Sequence, residues 1–137
     1  MNDATIFLPL LVQIGLTLVM FILLAVRKSA AVKTGEIDRS KAALDNSAWN
    51  KEVVQVSNNI ANQFQAPVLF YILVMFFFVT NTVSSLAIWL AWVFVATRVI
   101  HAIVHVTSNY IPYRLGSFTL GVLTLLVMTG LAVSSYI

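Results

Sequence analysis

Apolar and polar positions in this chain fall into long blocks rather than short periods. Four apolar stretches, over about 6–26, 52–80, 83–109 and 113–137, are each long enough, or nearly so, to cross a hydrocarbon core that needs about 20 residues of helix. The second is led by a polar, amphipathic segment from Glu52 to Gln65 and turns wholly apolar at Ala66. The every-other-residue alternation of a membrane barrel is missing, and a barrel would need more, shorter and more polar segments. The pattern therefore predicts an all-α membrane protein: a single domain, 1–137, built as a bundle of four transmembrane helices with a polar loop over 27–51.

Composition agrees with this class. The chain is 60% hydrophobic and 9% charged, with a mean hydropathy of +0.92, far outside the range of soluble domains. The first stretch is too long for a signal-peptide core, has no basic residue before it, and is followed by Arg27-Lys28 rather than a small-residue cleavage site, so it is expected to stay as a permanent span. Zero cysteines exclude disulfides, thiolate metal sites and a protein thiol nucleophile.

Charge then sets an expected orientation. Six of the eight basic residues (Arg27, Lys28, Lys33, Arg39, Lys41, Lys51) lie between the first and second spans, Arg114 lies between the third and fourth, and the 80–85 turn has none. The positive-inside bias puts both basic connections in the cytoplasm and both termini outside. The net charge of +3 suits a loop that faces lipid headgroups. Nucleic-acid binding is not expected, since Glu36, Asp38 and Asp45 are mixed with the basic residues.

Candidate chemistry sits in the spans. Arg98, His101 and His105, at i, i+3 and i+7, share a helical face that continues to Asn109, and titratable groups at membrane depth usually face a bundle interior, a partner or a wet cavity. On the second span, Asn58, Asn62 and Gln65 form a stripe at i, i+4 and i+7. The spans run antiparallel, so the two polar faces are expected to meet at one depth, Arg98 with Asn62. A guanidinium among carboxamides and imidazoles, with no embedded carboxylate, can host an anion. For Asn59, Gln63 and Asn109, hydrogen bonding between helices is an equal alternative. His101 and His105 are spaced for a metal, but a third and fourth ligand are missing, so none is expected. Pro67 predicts a kink in the second span, and Ser117 with Gly121 forms a small-residue pair suited to close helix contact.

Together, Asn62-Gln-Phe-Gln65-Ala-Pro67, Arg98-x-x-His101-x-x-x-His105, Arg114 and the four spans resemble the MAPEG superfamily (membrane-associated proteins in eicosanoid and glutathione metabolism), over essentially the whole chain and with bacterial members as the nearest type. The resemblance implies a homotrimer that binds glutathione between neighbouring subunits on the cytoplasmic side of a bacterial inner membrane. Family enzymes carry Arg-x-x-x-Asn-x-x-Glu before a proline on the second span. Here Asn62 and Pro67 match, whereas Asn58 replaces the arginine and Gln65 the glutamate, a charge-balanced exchange. Arg98 matches a family arginine, His101 a variable polar position, His105 a position held by tyrosine in several enzymes, and Arg27 a basic residue ending the first span. Arg114 matches the arginine that stabilises the thiolate.

The implied function is that of a glutathione-dependent transferase or peroxidase acting on lipophilic electrophiles. Arg114 and His105 would be catalytic, Arg27, Asn58, Asn62, Gln65, Arg98 and His101 ligand-binding, and glutathione the cosubstrate. A noncatalytic relative that binds another amphipathic ligand or lipid, or serves as an accessory subunit, is the alternative suggested by Asn58 and Gln65. A proton-coupled exporter ranks last, since such transport usually needs a membrane-embedded carboxylate.

Overall fold

The computed structural model describes residues 3–137. Among them, four helical segments are long and apolar enough to cross a membrane, and no strand forms beyond one bridge between Ile37 and Trp49. The elements are α1 (Phe7–Thr34), α2 (Lys51–Gln63), α3 (Ala66–Val79), α4 (Ser85–Val106) and α5 (Ile111–Ser134). The expected four-helix bundle is therefore present, with the second span divided into α2 and α3.

Local chemistry explains these boundaries. The first helix outruns its apolar stretch and continues through Arg27 and Lys33 to Gly35, whose φ of 75° stops it. There the Gly35 and Glu36 amides donate to the Val32 and Ala31 carbonyls, a Schellman closure that a side chain at this φ would strain. The loop that follows is consequently shorter than its basic composition suggests. It is closed by the Asn50 amide donating to Glu36 Oε2 at 2.8 Å and by Lys28 Nζ lying 4.7 Å from the Trp49 ring. Within it, the Ser40 and Ser47 hydroxyls and amides donate to Asp38 and Asp45, holding both carboxyls below the usual range.

At Phe64 and Gln65 the predicted kink becomes a break. Pro67, in the first turn of α3, has no N–H for the Gln63 carbonyl, so α2 ends at Gln63 and the chain restarts at Ala66. Asn50 caps α2 and Ser84 caps α4, each by a side-chain oxygen that accepts a backbone N–H three residues on.

Two apolar clusters hold the bundle. One, toward the 80–84 turn, gathers Phe70, Val74, Phe77, Ala91, Phe94, Leu125 and Met128, with the Phe70 and Phe94 rings stacked at 4.6 Å. The other, toward the basic loop, holds Met20, Val56, Ala102 and Val106. Between the two, and level with the second at Asn59 and His105, lie buried polar side chains: Gln13, Asn59, Gln63, Thr97, Arg98, His101 and His105. The outward surface is apolar, with Leu11, Ile22, Trp89 and Leu126 exposed as a lipid-facing surface requires.

The small-residue expectation is met at Gly121 on α5. A Cβ there would lie 2.9 Å from Thr97 Oγ1 and 3.9 Å from Arg98 Cδ, so the missing side chain is what lets α4 and α5 close. Gly121→Ala is expected to lower stability by about 1–3 kcal/mol. Thermal unfolding of the detergent-solubilised variant tests this, and an unchanged melting temperature would mean that Thr97 moves aside freely.

Candidate functional site

The short turn between α4 and α5 sets the site. Asn109 adopts φ 51°, a left-handed conformation that asparagine tolerates. Its Oδ1 accepts from Arg114 Nη1 at 2.7 Å, and its backbone amide donates to the Val104 carbonyl at 2.7 Å. Arg114 is thereby fixed one turn into α5. His101 Nδ1 lies 3.0 Å from the Arg114 carbonyl oxygen and donates to it, tying α4 to the same turn.

Beside this turn lies a cavity of about 460 Å³ between α2, α4 and α5, a volume in the range of small-molecule sites. Its polar lining is Asn58, Asn62, His101, His105 and Arg114; its apolar wall includes Leu115 and Phe118. None of the residues lining it is a carboxylate. The guanidinium, amides and imidazoles can together receive an anion carrying peptide-like groups. Among the described residues no cluster of three or more metal-binding side chains occurs.

Five of the expected site residues, Asn58, Asn62, His101, His105 and Arg114, thus share one cavity. The other three lie elsewhere. Arg27 is engaged by backbone: Nη1 donates to the Glu52 carbonyl at 2.9 Å and Nη2 to the Val106 carbonyl at 2.8 Å, which caps the end of α4. Gln65 is exposed at the break between α2 and α3 and does not line the cavity.

Arg98 does not meet Asn62 in the cavity lining as expected. It lies one turn deeper along α4, 1% exposed, with Cζ 5.9 Å from the Phe118 ring, and none of its three nitrogens has a hydrogen-bond partner. The reason lies at the α4–α5 contact: one turn below His101, the side chain packs beside Phe118 and Gly121 of α5 rather than reaching α2. His101 Nε2 is likewise buried without a partner.

The second amide stripe of α2 faces inward. Asn59 Nδ2 lies 3.4 Å from His105 Nδ1, Gln63 Nε2 donates to Asn59 Oδ1 at 3.1 Å, and Gln13 Nε2 of α1 donates to Gln63 Oε1 at 2.8 Å. For Asn59 and Gln63 the inter-helix alternative therefore describes the structure, while Asn62 bonds within its own helix to the Asn58 carbonyl. Gln13 was not singled out from the sequence, although an amide inside an otherwise apolar span is itself a signal of a buried polar contact. Phe118 could have been found as the i+4 neighbour of Arg114.

The sequence model of the MAPEG family matches residues 6–134, nearly the whole chain. The chain belongs to the MAPEG family. No curated protein and no solved structure matches it. In this MAPEG protein the cavity lies at the end of the bundle that carries the basic loop, and the match extends across every residue that lines it.

Proposed function

We propose that this MAPEG protein is a glutathione-dependent transferase or peroxidase acting on lipophilic electrophiles. The observation that carries the reading is the Arg114 guanidinium, held by Asn109, at a cavity whose other polar groups are amides and imidazoles. A guanidinium beside a thiol favours the thiolate, the nucleophilic form. Arg114 would stabilise the sulfur anion, and Asn58 and Asn62 would hold the peptide groups. In conjugation the sulfur bonds to the electrophilic carbon, the leaving group departs with the bonding pair, and the thiol proton passes to water. With a hydroperoxide the sulfur takes the distal oxygen, the O–O bond breaks, and an alcohol and a sulfenic acid result; a second thiol then gives the disulfide and water.

Supporting this reading are the family membership and the openness of the apolar wall to a substrate dissolved in the bilayer. In the same proposal the protein works as a homotrimer in a bacterial inner membrane, with the cavity end facing the cytoplasm, as the basic loop favours. Asn58 and Gln65 favour a second reading, a noncatalytic member that holds another amphipathic ligand or lipid or serves as an accessory subunit. Titration of glutathione into the purified protein in lipid nanodiscs, read by the ultraviolet absorbance of the thiolate, separates the two. Saturable thiolate formation followed by conjugation of a lipophilic aryl halide is expected. Absence of both would overturn the first reading.

A further inference from the structure

Two histidines line the cavity, and their partners are of opposite kinds. A backbone carbonyl only accepts, so the 3.0 Å contact of His101 Nδ1 with the Arg114 carbonyl places a proton on Nδ1. In the neutral ring Nε2 is then bare, and it is sealed from solvent without a partner. The one N–H of His101 is thus directed at the α5 backbone rather than at the cavity.

His105 is governed by the amide chain. Gln13 donates to Gln63, Gln63 donates to Asn59, and the Asn59 amide nitrogen is left to donate to His105 Nδ1. The three amides are coupled, because turning one of them reverses the donor and acceptor ends of its neighbours. In the observed direction the group without a partner is the Gln13 Oε1 oxygen. In the reverse direction it would be the Gln13 NH₂, and a buried donor without a partner is the rarer and costlier outcome. With Nδ1 accepting, the neutral His105 ring carries its proton on Nε2.

We infer that the two cavity histidines are held in opposite tautomers, so that His105 alone offers an imidazole N–H to the cavity, with Gln13, Gln63 and Asn59 as the positioning residues that keep it a donor. His105 then adds to the Arg114 guanidinium as a donor to a bound anion and does not take its proton. The identity of that anion as a sulfur thiolate rests on the function proposed above; the tautomers themselves do not.

Full-length protein isotope-labelled at the histidine ring nitrogens and reconstituted in phosphatidylcholine–phosphatidylglycerol bilayers, with no glutathione present, gives resonances from two residues, and H101Q leaves those of His105 alone. A protonated Nε2 and bare Nδ1 are expected for His105, and the converse for His101. Asn59→Asp, whose carboxylate only accepts, is expected to bring a proton onto His105 Nδ1, and Asn59→Leu to leave both tautomers populated. A wild-type His105 already protonated on Nδ1, or an Asn59→Leu spectrum identical to the wild type, would overturn the inference. In a second arm, Asn59→Leu is expected to lower kcat for conjugation about twofold, in proportion to the share of His105 left in the donor tautomer, with KM for the electrophile unchanged. If wild-type protein conjugates nothing while its tautomers are as stated, the proposed function fails and the inference stands.

Discussion

Arg98→Met is expected to make the ligand-free protein more stable and at the same time weaken its binding of an anion. The guanidinium is among the largest fully buried groups of the chain, and its Nε, Nη1 and Nη2 have no partner. Placing a charge in such surroundings is costly, and a cation–π contact with Phe118 at 5.9 Å offsets only part of the cost. Methionine matches the length of the arginine stem and fits the space beside Gly121, so the exchange keeps the packing and removes the charge. Replacing buried ionic groups with apolar ones of similar volume commonly gains about 1–4 kcal/mol, and a gain in that range is expected here. Thermal unfolding in matched detergent measures the stability, and glutathione titration measures the opposing effect on binding. A destabilised variant would show that the guanidinium is paired in the membrane-embedded protein, and an unchanged affinity would remove Arg98 from the electrostatics of the cavity.

The second large effect concerns Arg114. Loss of a single donor aimed at a developing anion typically costs about 10²–10³ in turnover, and under the proposed function Arg114→Ala is expected to fall in that range for conjugation. Because His101 bonds to the Arg114 backbone carbonyl, that tie survives the substitution, and the variant isolates the guanidinium from the turn it stands on. Arg114→Lys keeps the charge without the planar fork that Asn109 engages, so partial activity is expected. Asn109→Gly, which keeps the left-handed turn and frees the guanidinium but leaves it present, should resemble the lysine variant more than the alanine one. Turnover at saturating electrophile, together with thiolate absorbance in the binary complex, checks the series. An Arg114→Ala variant with wild-type turnover would exclude the side chain from thiolate stabilisation.

Much of this architecture is legible in the chain itself because lipid-facing helices leave little choice. Backbone groups in hydrocarbon must bond internally, so each apolar block becomes a helix and each polar break a turn. Pro67 announces the interruption of the second span, although a missing N–H alone does not distinguish a bent helix from two separate ones. The inward rotation of α2 was not legible, because the stripe of Asn58 and Asn62 and the stripe of Asn59 and Gln63 are equally polar and lie one residue apart. Turned inward along with Val53 and Val56, the second finds its partner in Gln13, a single amide on another span.

The remaining differences share a cause. Arg27 finds its partners at the Val106 carbonyl, a group that becomes free only where α4 ends, and the position of that end depends on the turn at Thr107. Arg98 packs against Phe118 and Gly121 of α5, a feature of packing between helices rather than of either helix alone. Residue type and spacing therefore picked out five side chains that do share the cavity, whereas depth and pairing followed from contacts between distant segments.

The Arg27 contacts also bear on how the bundle is assembled as it emerges from the ribosome. One of its two carbonyl partners belongs to the neighbouring helix of the first hairpin, but the other lies 79 residues downstream. A nascent chain with only its first two spans inserted has a guanidinium half engaged at the membrane surface, and the clasp across the three helices can shut only after the third span has crossed and its last turn has formed.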